Sequence, residues 1–179
     1  LVLGWRIEKV ASDAASYGPV FSADHPTLAN PVADRYARII ADVTRKQTVD
    51  LVVAASTPYA KDIIGRAAGL LGGAMASDVV HHDFHDEQLV LRRPMFAGAV
   101  TATVVLCGHP QIITVRPTAY AAPPRAEAPF AITPIAIDNA SLPSHITFER
   151  VESKASHRPD VTEARVVVSG GRSIKTSDD

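Results

Sequence analysis

A short segment near the end of the chain carries the residues best suited to bind a phosphate group. The apolar run at residues 166–168 predicts a buried strand, and it leads into Ser169, Gly170, Gly171 and Arg172. Glycine permits positive φ and close approach, so backbone amides in such a turn can face an anion. The planar guanidinium of Arg172 suits phosphate oxygens. The sequence therefore suggests an anion-binding turn, although a Gly-Gly pair after a strand also occurs in plain tight turns.

An enzymatic alternative exists for the same residues. They resemble the Ser-Gly-Gly-x-Asp-Ser loop of ATP pyrophosphatases, but Ser173 stands where that loop has its aspartate. No predicted helix follows to supply an N-terminus for phosphate. No Gly-x-Gly-x-x-Gly or Walker-type loop occurs elsewhere in the sequence. These departures disfavour a nucleotide-dependent enzyme.

A histidine-rich segment at residues 81–86 is the other group of potential ligands. On an extended strand His81, Asp83 and His85 would share one face, as chelation of zinc or nickel requires. A hairpin tip that is exposed to water would be equally polar without binding a metal. We favour the hairpin and expect no metal here.

Three further polar positions are expected to be structural. Asp62 and Arg66 are four residues apart on a predicted helix and can pair with each other, next to Lys61. The one cysteine, Cys107, is expected to be a buried thiol, and it excludes an internal disulfide. No order of Ser, His and Asp and no pair of carboxylates stands out as catalytic.

The charge balance and hydropathy argue against two classes of partner. Among 179 residues, 18 are Lys or Arg and 19 are Asp or Glu, which gives a net charge of −1. A nucleic-acid-binding domain usually carries a strongly basic surface. No apolar run approaches the ~18 residues that span a bilayer. We therefore expect neither nucleic acid nor direct membrane insertion.

Alternating strand and helix patterns must position these side chains. Strands are predicted at residues 1–3, 20–21 and 51–55, and helices at residues 7–17, at residues 32–46 and after Thr57. This alternation predicts an α/β domain with a mainly parallel sheet, in which 1–3 and 51–55 are neighbouring strands. Additional β-structure is predicted at residues 88–91, 100–106, 111–115 and 145–151. The first three are expected to form hairpins added to the sheet edge, and residues 121–134 an exposed connection.

A fixed order of motifs runs through the middle of the chain. It comprises the strand at 51–55 with Ser-Thr-Pro at 56–58, Lys-Asp at 61–62, Ser-Asp-Val at 77–79, Arg-Pro-Met-Phe-Ala-Gly at 93–98 and Ile-Thr-Val-Arg-Pro-Thr-Ala-Tyr at 113–120. Together with Ser-Gly-Gly-Arg at 169–172, this order resembles the alpha subunit of electron transfer flavoprotein. Departures are Ala60 and Gly65 where the family has Gly and Pro, and Ser173 where it has Gly.

The resemblance implies an electron carrier, not an enzyme. Proteins of this family accept electrons from flavin dehydrogenases, such as the acyl-CoA dehydrogenases of fatty acid β-oxidation, and pass them to a quinone oxidoreductase. The alpha subunit carries FAD and pairs with a beta subunit that also holds a structural AMP. The compartment would be the mitochondrial matrix in a eukaryote and the cytoplasm in a bacterium. A stand-alone adenine-nucleotide-binding module is the alternative.

The resemblance also implies a division of the chain. Residues 1–153 would be an N-terminal α/β domain of the adenine-nucleotide-hydrolase-like type, with its opening strand missing. Residues 154–179 would be a linker and the first strand of a truncated, Rossmann-like FAD-binding domain. Arg172 matches the family arginine that contacts FAD. Since the other walls of that site would lie beyond Asp179, we expect this chain not to retain FAD. Residues 88–120, with Arg93 and Arg116, are expected near the beta subunit.

Overall fold

The computed structural model describes residues 1–152, 161 and 164–171. The chain divides into one unit of residues Leu1–Phe148 and a second of residues Glu149–Asp179. Every helix and strand of the described residues lies in the first unit. The described residues of the second unit form turns and irregular backbone.

The first six elements of the first unit alternate between strand and helix in the order that the sequence predicts, and six further strands follow. In chain order they are β1 (Val2–Gly4), α1 (Glu8–Ala14), β2 (Val20–Asp24), α2 (Ala33–Lys46), β3 (Leu51–Ala55), α3 (Pro58–Leu71), β4 (Ala74–Val79), β5 (His81–His85), β6 (Gln88–Met95), β7 (Val100–Val105), β8 (Gln111–Val115) and β9 (Ile132–Pro134). Short 3-10 turns lie at Pro26–Leu28, Phe96–Gly98, Pro117–Ala119 and Asn139–Ser141.

The described strands form three sheets of three strands each. The first sheet, in the order β1-β2-β9, is parallel, and so is the second, in the order β3-β8-β4. The third, β5-β6-β7, is antiparallel and packs its apolar face on the second sheet through Val79, Leu91 and Ile113. The mixed α/β class with parallel sheets is thus confirmed.

Helices α2 and α3 form one layer that covers both parallel sheets. Helix α2 buries Tyr36, Ile39 and Val43 at helical spacing and leaves charged residues on its other side. These residues share a core with Ile63 of α3 and with Leu3 of β1. Helix α1 lies on the opposite face of the first sheet, where it packs on Val2 and Val20. None of the described helices is both long and apolar enough to cross a membrane.

Local signals fix both ends of α3. The Thr57 hydroxyl accepts a hydrogen bond from the Ala60 N–H at 3.1 Å, and Pro58 occupies the first helical position. The helix ends at Gly72, whose φ of 64° is left-handed and whose N–H donates to the carbonyls of Ala68 and Gly69. The chain can therefore turn directly into β4.

The expected pairing of the first strand with residues 51–55 is wrong. Among the described strands β1 is hydrogen-bonded to β2 alone and β3 to β8 alone, so β1 and β3 belong to separate sheets. The strand positions themselves are confirmed at 51–55 and 111–115. The expectation that 111–115 forms an added edge hairpin is wrong, because β8 pairs in parallel with β3 and β4 and lies between them. A local apolar pattern indicates that a segment is extended, but it does not identify the strand with which that segment pairs.

Two predicted strands are absent from the described residues. Residues 145–151 are irregular, and Ile146, Phe148 and Val151 are exposed. The predicted buried strand at 166–168 is irregular too, and Val168 is 93% exposed. Each segment has an apolar pattern, but in the described residues neither lies against a sheet edge that would pair its backbone. Conversely, β9 forms within the Ala- and Pro-rich stretch that was expected to be an exposed connection.

We predict that Gly73→Ala destabilises the fold, because a Cβ there would lie 2.4 Å from the Pro110 carbonyl oxygen. Overpacking of this kind costs about 1–3 kcal/mol of unfolding free energy. The control is Gly65→Ala on the exposed side of α3, where a Cβ meets nothing within 4 Å. Alanine there should stabilise by up to about 1 kcal/mol. Urea unfolding followed by circular dichroism measures both, and equal stabilities would refute the packing argument.

Candidate functional site

Polar side chains meet where the strands of the second parallel sheet end. Ser56 follows β3, Asp78 lies near the end of β4, and Arg116 follows β8. Parallel strands present their carboxyl ends at one edge, which is where open α/β sheets bind ligands and partners. We call this group, with Ser77, Arg93 and Thr114, the carboxyl-edge cluster.

A two-pronged ion pair forms the centre of the cluster. Arg116 Nε donates to Asp78 Oδ1 at 3.1 Å, and an Arg116 Nη atom donates to Asp78 Oδ2 at 2.6 Å. The hydrogen bond from Arg116 holds the pKa of Asp78 below its ordinary value and outweighs the opposing effect of burial. The Lys61 ammonium and the Ser56 hydroxyl lower this pKa further. Asp78 is therefore a carboxylate at neutral pH.

A buried hydroxyl orients the Asp78 backbone. Thr114 is fully buried, and its Oγ1 accepts a hydrogen bond from the Asp78 N–H at 3.0 Å. The same hydroxyl donates to Ser56 Oγ at 3.3 Å. Asp78 has a φ of 60°, an unusual left-handed value for a non-glycine residue, at an irregularity between β4 and β8. The contact with Thr114 thus ties three strand ends together.

Arg93 brings an unmatched positive charge to the same edge. Its Nη2 donates to Ser77 Oγ at 3.1 Å, while its Nε is buried without a partner. Within the described part of the chain no carboxylate pairs with Arg93, whereas Arg116 is matched by Asp78. The open concavity between the two arginines has a volume of about 560 Å³. Its chemistry suits an acidic or carbonyl-rich segment of a partner.

An exposed aromatic residue lies at the rim of this concavity. Phe96 is 77% exposed and begins the turn between β6 and β7. Phe96, Ala97 and Gly98 have φ values of 51°, 54° and 91°, so three consecutive residues are left-handed. An exposed aromatic beside an arginine is typical of protein interfaces. The surface formed by Arg93, Arg116 and this turn is called the arginine surface below.

Sequence reasoning identified some of these residues and missed others. The motif order includes Ser77, Asp78, Arg93 and Arg116. It did not predict which side chains within this chain they contact. Thr114 was missed as a contact, although a lone polar residue between Ile113 and Val115 of a buried strand is a usable signal.

The structure brings two residues of the histidine-rich segment together and holds a third on the other face of the strand. Asp83 Oδ2 lies 3.4 Å from His85 Nε2, whereas His82, on the other face of β5, stacks on Tyr120 with ring centroids 5.7 Å apart. In the part of the chain that the structure describes, no three His, Cys, Asp or Glu side chains are placed to hold a metal ion.

Two structural expectations are wrong. Arg66 pairs with Asp34 of α2, Nε to Oδ1 at 3.0 Å, and not with Asp62, because the packing of α2 on α3 brings the less exposed Asp34 within reach. Asp34 also accepts from His145 at 2.9 Å. Cys107 is exposed rather than buried, since it follows β7 in the turn that leads to β8.

The expected phosphate-binding turn lies in the second unit. Ser169, Gly170 and Gly171 are exposed and irregular, and Arg172 lies outside the described residues. The contact of Arg172 with FAD therefore stays a prediction.

Comparison with known proteins completes the description of the site. Residues 1–138 match the family model described as the electron transfer flavoprotein domain. The chain belongs to the electron transfer flavoprotein family. The carboxyl-edge cluster, from Ser56 to Arg116, lies wholly within the matched residues.

The similar curated proteins of this family are named as alpha subunits. The mitochondrial electron transfer flavoprotein subunit alpha of Oryza sativa subsp. indica is 31% identical over 98% of this chain and 51% of its own length. The subunit alpha of Clostridium acetobutylicum is 30% identical over 97% and 54%, and that of Pseudomonas aeruginosa is 32% identical over 99% and 56%. The chain thus spans about half the length of the curated relatives it matches.

These relatives decide between the hypotheses drawn from the sequence. Their names support an alpha-subunit segment of an electron carrier, as the motif order indicates. A stand-alone nucleotide-binding module and an ATP-pyrophosphatase-like enzyme are not favoured.

We predict that Asp78→Asn destabilises the electron transfer flavoprotein fold at neutral pH. The pKa of Asp78 is lower in the folded state than its ordinary value of 3.8. The ion pair with Arg116 therefore stabilises the fold above pH 3.8, and this stabilisation is lost as the pH falls through the lowered pKa. The difference from wild type in unfolding free energy should therefore shrink on acidification. Asp62→Asn, an exposed change on α3, is the control. A penalty that does not vary with pH would contradict the ion-pair assignment.

Proposed function

We propose that this chain is the N-terminal α/β part of an electron transfer flavoprotein alpha subunit. The match over residues 1–138 carries the proposal. In the whole protein, FAD would accept electrons from flavin dehydrogenases, such as those acting on acyl-CoA in β-oxidation, and pass them to a quinone oxidoreductase. The compartment would be the mitochondrial matrix in a eukaryote and the cytoplasm in a bacterium.

The proposed division of labour assigns assembly to the first unit and flavin binding to the second. Residues 1–153 would form an adenine-nucleotide-hydrolase-like domain. Residues 154–179 would be the linker and the beginning of the FAD-binding domain, in which Arg172 contacts the flavin cofactor. Two parallel sheets with a shared helical layer are consistent with this domain type.

The arginine surface is the proposed contact with the beta subunit. Arg93 is partly exposed and lines the concavity, and within the described part of the chain no carboxylate pairs with it. A guanidinium in this position can bind a carboxylate or carbonyl oxygen of a partner. The exposed Phe96 beside it supplies apolar area. A beta-subunit segment with a carboxylate or carbonyl oxygen opposite Arg93 would bind this arginine. The rest of that segment would cover Phe96.

We predict that Arg93→Glu weakens assembly of the full-length alpha subunit with its beta subunit by about tenfold or more, because the new carboxylate repels the acceptor that Arg93 meets. The matched control is Arg92→Glu, on the opposite, exposed face of the same strand. Phe96→Ser should also weaken assembly. Arg116→Glu should weaken it too, and this change additionally removes the ion pair with Asp78. Affinities follow from titration calorimetry. If Arg93→Glu weakens assembly no more than Arg92→Glu does, the interface lies elsewhere.

We predict that the 179-residue chain does not retain FAD at stoichiometric level. Its Ser169, Gly170 and Gly171 are exposed and lie in no sheet, so their amides are not preorganised for phosphate. In the full-length heterodimer Arg172→Ala should lower the flavin content, whereas Arg165→Ala should not. Flavin absorbance per protein measures this, and a yellow 179-residue chain would overturn the expectation.

A further inference from the structure

The last residues of the first unit, 143–148, are attached to the beginning of α2. The Pro143 carbonyl accepts a hydrogen bond from Arg35 Nε at 3.4 Å. Two residues later, His145 Nε2 lies 2.9 Å from the Asp34 carboxylate oxygen Oδ2. Asp34 and Arg35 both belong to the first turn of α2, so the segment is held at one end of this helix. We call residues 143–148 the strap.

Side-chain contacts supply most of the attachment of the strap. Leu142, just before it, packs in the core that α2 and α3 share. Within the strap, by contrast, Ile146 is 46% exposed and Phe148 is 37% exposed. In the described part of the chain no backbone-to-backbone hydrogen bond involves the strap. Since neither apolar burial nor backbone pairing holds it firmly, the two side chains at the beginning of α2 must do so.

Asp34 is the firmer of the two attachment points. Its side chain is only 13% exposed, and its Oδ1 pairs with Arg66 Nε of α3 at 3.0 Å, which leaves Oδ2 for His145. An imidazole Nε2 can donate to a carboxylate from the neutral ring and from the protonated ring. Arg35 holds the strap more weakly, because its Nε contact is long and its Nη1 donates to the Thr27 carbonyl at 3.3 Å. The contact between His145 and Asp34 therefore dominates the attachment.

We infer that the contact between His145 and Asp34 is an anchor that fixes the point at which the chain leaves the first unit. With the anchor in place, the chain is held to the end of the strap. Without it, the last firm contact is that of Leu142 with the core. The strap spans at most about 20 Å when extended, so release of the anchor lengthens the free part of the chain by up to that distance.

The consequence for electron transfer rests on the proposed function. There the polypeptide after the strap leads to the FAD-binding domain, so the anchor shortens the tether between that domain and the first unit. A shorter tether restricts the volume that a tethered domain can explore. The anchor thus acts on the reach of the second domain and not on the flavin itself. An ion pair that is partly exposed is weak, so a modest change is enough to release the strap.

A distance measurement between two nitroxide labels tests the anchor in the full-length alpha subunit bound to its beta subunit. One label replaces Thr147 in the strap and the other replaces Lys46 at the end of α2, and both positions are exposed. The labels are attached to unnatural amino acids, so cysteines do not interfere. Pulsed double electron resonance should give one narrow distance distribution. His145→Ala should widen it by about twofold or more, because a freed segment samples many conformations.

Two further variants separate the anchor from a general effect on the fold. Arg66→Ala removes the other partner of Asp34 and leaves the anchor in place, and His145→Gln keeps a donor, so both distributions should stay narrow. The urea midpoint of His145→Ala should be nearly unchanged, because the pair is partly exposed. A distribution that is already broad without substitution, that stays narrow in His145→Ala, or that widens equally in Arg66→Ala overturns the inference. These results do not depend on flavin, which the Arg172 variant tests separately.

Discussion

Packing of α2 against α3 is the interaction on which the rest of the first unit depends. β1 and β3 share no backbone hydrogen bonds, so the two parallel sheets are joined through the apolar layer of Tyr36, Ile39 and Ile63. The ion pair between Arg66 and Asp34 crosses the same contact, but it is partly exposed and adds little. Apolar burial therefore keeps the two sheets in place.

The carboxyl-edge cluster depends on this arrangement. The second sheet sets Ser56, Asp78 and Arg116 side by side, and the antiparallel sheet packed on it carries Arg93 to the same edge. Asp78 neutralises one arginine and leaves the other unmatched. Such a surface suits contact with a partner protein, because charge complementarity speeds encounter and fixes orientation.

The sequence predicted the helices and most of the strands of the first unit, but not how the strands pair. The helix expected at 32–46 is observed at Ala33–Lys46, and the strand at 111–115 is observed at Gln111–Val115, because periodic apolar residues report a local property. The neighbours of β1 and β3, the pairing of β9 with β2 and the partner of Arg66 depend on contacts between distant segments. The run at 166–168 shows the same limit, since its valines are exposed where burial was expected. In the site, the motif order located Asp78, Arg93 and Arg116, but only the structure distinguishes the matched arginine from the unmatched one.

An experimental structure of the full-length alpha subunit in complex with its beta subunit tests the central claim most directly. The account predicts that α2 and α3 pack on each other as they do here and hold both parallel sheets against their shared apolar layer. It also predicts an acceptor oxygen of the beta subunit at Arg93. Helices α2 and α3 that no longer pack on each other, or an Arg93 that faces solvent in the complex, would contradict the account.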